Sequence, residues 1–266
     1  KSPIESCVTM PIISSMQINA SNICGGTINI LILDIETAPN LVHTWGLWDQ
    51  NIGLNQIVKP SYTLCWAAKW LGKKQVFFRD HQEKEFITDI YSLLTEADAV
   101  VHFNGCKFDI PILNKDFIEQ GLPPSAPFKE IDLLRTVRRR FRMPSNKLEY
   151  VCDFLEIGNK LKHQGHDLWT AYMAGDKKAM QKMKKYNIQD VNLTEQLYMR
   201  LLPWIPNHPT DSPTNACPVC GGHHLQRRGT IRKLAGIYAR YQCQDCGKWS
   251  QGTEKLEKIV VTHKGI

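Results

Sequence analysis

Hydrophobic and polar positions along the chain switch between two periods. Thr27–Asp34 (TINILILD) is a β-branched apolar run that predicts a buried central strand. Thr63–Trp70 and Gln75–Arg79 predict two strands joined through Gly72 and Lys73. Phe86, Ile87, Ile90, Leu93 and Leu94 fall at helical spacing within Glu83–Thr95. Ala99–Phe103 (AVVHF) predicts another short buried strand, closed by an Asn104-Gly105 turn. Helices are predicted over Pro111–Gln120, stopped by Gly121-Leu122-Pro123-Pro124, and over Ile131–Phe141 and Leu148–Leu155, the last with Ser145 and Asn146 as caps. The clearest helix runs from about Asp176 to Leu202. Strands first, then helices mixed with one more strand, predict an α/β fold with a single mixed sheet.

Pro203, Pro206, Pro209 and Pro213 break the pattern, and the stretch 206–214 reads as a stiff linker. The expected organisation is an N-terminal extension at 1–26, a main domain at 27–205, the linker, and a small domain at 215–266. No run approaches the ~18 apolar residues needed to cross a bilayer, so no membrane partner is expected. At 266 residues, with 42% hydrophobic and 22% charged, the composition is that of a globular protein and excludes wholesale disorder, collagen-like repeats and a coiled-coil rod.

The net charge of +7 is uneven: residues 211–266 contribute +5 and the remainder +2. The nine cysteines divide as well. Cys7, Cys24, Cys65, Cys106 and Cys152 are scattered, which is no secreted disulfide framework and reads as a reducing, cytoplasmic protein. Cys217-Pro-Val-Cys220 and Cys243-Gln-Asp-Cys246 are two C-x-x-C pairs 22 residues apart, each followed by glycine. That spacing predicts one structural Zn²⁺ held by four thiolates, with a redox role as the weaker alternative and His223 and His224 as competing ligands. Tyr238–Tyr241 alternates like a strand between the pairs, so the unit resembles a zinc ribbon. A segment of about 55 residues builds little core alone, and the metal would supply its folding energy. Its Arg227-Arg228, Arg232-Lys233, Tyr238, Tyr241 and Trp249 predict a grip on nucleic acid, with docking to a protein as the competitor.

Candidate chemistry lies in three places. Asp34 and Glu36 stand at i and i+2 on the first strand, so both carboxylates face one way while Ile35 faces the core. Such a pair repels itself unless a cation intervenes, and hard oxygens suit Mg²⁺ or Mn²⁺. Asp109 follows Phe108 just past the Asn-Gly turn, where an Asp alone reads as a helix N-cap. Tyr186 and Asp190 are i and i+4 on the long helix and share a face.

In this order and spacing, Asp34-Ile-Glu36-Thr37, Asn104-x-x-x-Phe108-Asp109 and Tyr186-x-x-x-Asp190 resemble the DEDD (DnaQ-like) 3′–5′ exonucleases of the ribonuclease H-like fold, over roughly residues 27–205. The His-type branch would carry histidine at Lys185; Tyr186 matches the Tyr-type branch instead. The stretch Ser145–Gly175, with N-K-L-E-Y and G-H-D-L-W, also resembles phage-encoded members. The resemblance implies a mixed central sheet flanked by helices and a pair of Mg²⁺ or Mn²⁺ ions held by Asp34, Glu36, Asp109 and Asp190. It further implies that Tyr186 orients the attacking water and that Thr37 and Asn104 position substrate, while Phe108 either stacks on a terminal base or packs in the core. Arg135, Arg138, Arg139, Arg140 and Arg142 wrap around a helix and favour phosphate contact, with Arg138 and Arg139 as the leading residues. His163 and His166 read as surface histidines.

The function expected is a divalent-metal-dependent 3′–5′ exonuclease on nucleic acid, DNA ahead of RNA, with a polymerase or recombination protein as a candidate partner. An exoribonuclease of the same fold and a non-catalytic nucleic-acid-binding subunit are the alternatives.

Overall fold

A computed structural model describes residues 28–158, 165–209, 212 and 215–257. The expected extension at 1–26, Thr27, His163 and Pro213 lie outside them. The described residues divide into two compact units, 28–209 and 212–257.

The first unit is built around β1 (Ile30–Thr37). It pairs antiparallel with β4 (Thr63–Trp70), which pairs antiparallel with β5 (Phe77–Asp80). On its other side β1 runs parallel to β6 (Ala99–His102), and β6 runs parallel to β7 (Lys129–Asp132), giving the order β5-β4-β1-β6-β7. Between β1 and β4 the chain makes a two-stranded ribbon, β2 (Leu41–Val42) and β3 (Ile57–Lys59). The helices are α1 (Phe86–Glu96), α2 (Asp109–Glu119), α3 (Leu133–Arg140), α4 (Leu148–Phe154), α5 (His166–Met173) and α6 (Lys177–Leu201).

Alternation along β1 sorts the layers. Leu31, Leu33 and Ile35 pack with Trp66, Ala68 and Val100 against Phe86, Ile90 and Leu94 of α1 and Ile110, Leu113 and Phe117 of α2. The fully buried Trp66 meets its one polar need by donating its indole N–H to the Phe86 carbonyl at 2.7 Å. The opposite face carries α5 and α6, with Leu168, Tyr172, Ala179, Met183 and Tyr186 packed over Leu64 and Cys65. This is a mixed α/β fold, with one central sheet between helical layers.

Two polar clasps fix α5 and α6 on the sheet. The Tyr172 hydroxyl donates to Asp80 Oδ2. Lys69 forms an ion pair with Glu195, whose other oxygen accepts the Gly72 N–H at 2.9 Å. Asp176 caps α6 by accepting the N–H groups of Lys178 and Ala179 at 2.7 and 3.0 Å.

The helix expected over Ile131–Phe141 divides: Ile131 and Asp132 end β7, and the helix starts at Leu133. Asp132 makes that boundary by accepting the Leu134 and Arg135 N–H groups at 3.0 and 3.3 Å. Ser145 and Asn146 do not cap α4; its N-cap is Lys147, with no side-chain cap bond.

The second unit is a three-stranded antiparallel sheet, β8 (Leu225–Lys233), β9 (Gly236–Cys243) and β10 (Trp249–Glu257), with β9 central.

Candidate metal centres

The last residue of β1 paired with β6 is Ile32, opposite Val101, so from Leu33 onward this edge of β1 is free of strand pairing. Asp34 and Glu36 lie on this projecting end, on the face covered by α6. From α6 comes Asp190, 3% exposed. One carboxylate oxygen from each of Asp34, Glu36 and Asp190 lies within 4.8 Å of the others. Three negative charges at this separation repel strongly where one is buried, and all are hard oxygen donors; the donor set fits a divalent cation.

Asn187, one residue after Tyr186 and wholly buried, donates its amide to Asp34 Oδ2 at 2.7 Å and to the Asp34 carbonyl at 3.2 Å. It fixes the Asp34 carboxylate from the same helix that brings Asp190, three residues on. Sequence reasoning missed this residue; the available signal was its i, i+3 spacing to Asp190. Tyr186 is 5% exposed, with its ring edge-on to Trp169 at 6.0 Å.

Asp109 is buried next to this group but outside the trio of mutually close carboxylates. It does not cap its own helix; Phe108 occupies the N-cap position. Its Oδ1 accepts the Ile35 N–H at 3.0 Å and so occupies the open edge of β1, between the two acids of the strand. Burial pushes its carboxyl up to about 6, against the opposing pull of His102 and of the Ile35 N–H.

The approach to Asp109 is wound around the His102 imidazole. Gly105 donates its N–H to His102 Nδ1 at 3.0 Å, and a Cβ there would come within 2.3 Å of the ring. Asn104 adopts φ 76° and donates its N–H to Asp132 Oδ1 at 3.0 Å. With Nδ1 accepting, the ring proton sits on Nε2, which faces Glu130 Oε2 at 3.6 Å and Cys106 Sγ at 4.0 Å. The neighbouring His102 holds the Glu130 carboxyl down at about 2. His102, Cys106 and Asp132 also lie close enough together to share an ion.

Of the residues expected to position substrate, Thr37 lines an open cavity of about 410 Å³ with Pro39, Gly165, His166 and Trp169. Phe108 is 41% exposed. Asn104 contributes its backbone to the turn described above. Arg138 and Arg139 are exposed on α3; Arg139 lines a cavity of about 180 Å³ with Lys129, Arg135 and Arg140, and Arg138 is not among its lining residues.

In the second unit Cys217, Cys220, Cys243 and Cys246 are all buried and mutually close. Cys217 and Cys246 sulfurs are 3.7 Å apart, as are those of Cys220 and Cys243. A tetrahedron with metal–sulfur bonds of about 2.3 Å has edges of about 3.8 Å, so the sulfurs fit such a site. The two knuckles close alike: Gly221 and Gly247, at φ 70° and 75°, donate their N–H groups to the carbonyls of Cys217 and Cys243. Bonds from its neighbours' thiols hold the Cys217 thiol low, while that same crowding pushes Cys220 and Cys246 up. His224 turns instead to Asp245 at 2.6 Å, and neither His223 nor His224 is in the cluster. The four-cysteine cluster on its three-stranded sheet fits a zinc ribbon.

Fold and trio together define a ribonuclease H-like protein with a carboxylate centre at the end of its first strand. A family model for the RNase_H superfamily matches residues 31–202, and the chain belongs to that superfamily. DNA polymerase 1 of Pyrococcus abyssi and the DNA polymerase of Pyrococcus glycovorans are each 25% identical to it over 203 residues, 66% of this chain and 25% of theirs. The chain thus spans about a quarter of the length of the curated relatives it matches. The family B DNA polymerase from the hyperthermophilic archaeon Pyrobaculum calidifontis shares the fold, with a TM-score of 0.51 and 17% identity, over 67% of this chain and 25% of that one. Among the described residues, no helix is long and apolar enough to cross a membrane.

Proposed function

We propose that residues 28–209 form a divalent-metal-dependent 3′–5′ exonuclease of the Tyr-type DEDD branch, acting on single-stranded DNA. The observation that carries this reading is the convergence of Asp34, Glu36 and Asp190, with Tyr186 one helical turn before Asp190. The polymerase relatives support DNA as substrate, the quarter of their length matched being taken as their 3′–5′ exonuclease part. A pair of Mg²⁺ or Mn²⁺ ions, when bound, would lower the pKa of water and stabilise the charge that develops on phosphate.

Asp34, Glu36 and Asp190 would hold these ions, with Asp109 contributing from the edge of β1. Asn187 keeps the Asp34 carboxylate aimed at the cluster. Tyr186 would orient the attacking water through its hydroxyl; its ordinary pKa of about 10 makes it a poor base near neutrality. The four cysteines would hold one Zn²⁺, and the basic ribbon around them would assist binding of nucleic acid or of a polymerase or recombination partner.

The test is digestion of 3′- and 5′-labelled DNA and RNA, single- and double-stranded, with Mg²⁺ or Mn²⁺. Stepwise shortening of single-stranded DNA from its 3′ end is expected. Failure to shorten any strand with either ion would favour a non-catalytic binding subunit instead.

A further inference from the structure

The ribbon between β1 and β4 presents apolar surface where a folded chain would ordinarily bury it. Seven of the fifteen large apolar side chains exposed among the described residues fall within 41–58. Trp45 is fully exposed, and Leu47, Trp48 and Leu54 are each more than four-fifths exposed. Single exposed apolar residues need no explanation; so many within one short segment call for one.

The arm is nonetheless a built structure. His43 donates its N–H to the Gln56 carbonyl at 2.9 Å, and the Gln56 side chain returns to the His43 carbonyl at 2.9 Å while accepting the Gly53 N–H at 2.8 Å. The Gln50 amide donates to the Trp48 carbonyl at 2.7 Å. At the base, Ala38 N–H meets the Tyr62 carbonyl at 2.9 Å and Ser61 N–H meets Asn40 Oδ1 at 2.7 Å. Polar groups are spent on holding the backbone, and the indoles are left outward.

Its position names the occupant. The arm leaves the sheet after Thr37, next to Glu36, and re-enters at Thr63, the registered partner of Thr37. Both stems therefore stand at the end of β1 that carries the acids. Within 38–62 the charged residues are Asp49 and Lys59, so the arm has no net charge to meet phosphates. What it offers is aromatic faces, and every nucleobase has a face to match. The exposed arginines of α3 offer positive charge for phosphates elsewhere in the unit.

We infer that Trp45 and Trp48 form a stacking platform for bases of a single strand whose 3′ end lies at the carboxylate trio, an inference that rests on the exonuclease reading above. Stacking is indifferent to sequence, as an enzyme that shortens any strand requires. The test compares a dinucleotide with a single strand of about a dozen nucleotides, long enough to reach past the site. In the wild type, KM falls as the strand lengthens. In Trp45→Ala/Trp48→Ala that advantage collapses by roughly tenfold per tryptophan with turnover at saturation retained, and Trp45→Phe/Trp48→Phe restores most of it. A misfolded variant would instead lose turnover on both substrates alike. An unaltered length advantage in the Ala variant overturns the inference, as does loss of a protein partner with the length advantage intact. If the wild type shortens no strand, the exonuclease reading fails by itself. The arm is then judged by anisotropy of the same labelled strand with Ca²⁺: weaker binding by the Ala variant upholds the platform, and equal binding overturns it.

Discussion

Asp34 and Asp190 reach their site on a central strand and on the long helix packed across it, held in place by hydrophobic cores on both faces of the sheet. Cys217, Cys220, Cys243 and Cys246 sit instead on two tight knuckles, over a three-stranded sheet whose outer strands are largely exposed. Both sites crowd anionic groups together, and each is costly without a cation. The first has apolar packing on both faces of its sheet to bear that cost and is expected to stand without ions. The second has little packing to bear it, so metal binding and folding are expected to be coupled. On the reading proposed above, the contrast would separate an ion that performs chemistry from one that supplies architecture.

The contrast can be broken most directly by chelation. Stripping a tightly held Zn²⁺ removes on the order of 10 kcal/mol from a site of this kind, so residues 212–257 should lose their amide dispersion while 28–209 keeps its own. Cys217→Ser should act in the same direction. Equal loss in both units, or in neither, would erase the distinction. Next in size, Asp34→Ala should lower degradation roughly a thousandfold, the loss of several kcal/mol of charge stabilisation, with Tm held or raised as repulsion in the trio is relieved. Digestion at the wild-type rate would remove Asp34 from the site.

Asn187→Ala should weaken Mn²⁺ binding by about 10- to 100-fold in calorimetry, since it frees a ligating carboxylate from its orienting partner. Wild-type affinity would mean that the amide serves packing alone. Tyr186→Phe should lower kcat roughly tenfold, the net worth of about one hydrogen bond, and leave KM and stability near wild type because the ring contact with Trp169 remains. The smallest effect expected is that of removing 212–266: the salt dependence of strand binding should become shallower by roughly one unit of slope per lost phosphate contact. An unchanged slope would assign the basic ribbon to a protein partner.

Much of the frame was legible because its signals are periodic. Asp34, Ile35 and Glu36 alternate across a strand, and the structure puts Ile35 in the core and the two acids on the α6 face. Tyr186 and Asp190 share a helix face by spacing alone. The cysteine pairs carry their geometry in their intervals. What escaped lacks such a code. An Asp at the start of a helix looks the same whether its carboxylate turns to its own helix or, like Asp109, to the N–H of a neighbouring strand. Asn187 sits within a long amphipathic helix, where nothing local separates a buried clamp from a solvated amide. Lys129–Asp132 became a strand only because β6 offers it a parallel partner. Trp45 and Trp48 belong to no periodic run, so nothing in the sequence pattern marks their side chains as exposed.

The bond between Asn187 and Asp34 joins residues 153 positions apart. On a ribosome adding about 5–20 residues per second, the two sides of the carboxylate site are made roughly 8–30 s apart. Throughout that interval the nascent chain carries β1 with its acids but neither the clamp nor Asp190. On the exonuclease reading, the chain would be silent during its own synthesis and gain its carboxylate centre only once the long helix has emerged and docked, so that an abandoned, truncated product would pose no hazard to surrounding nucleic acid.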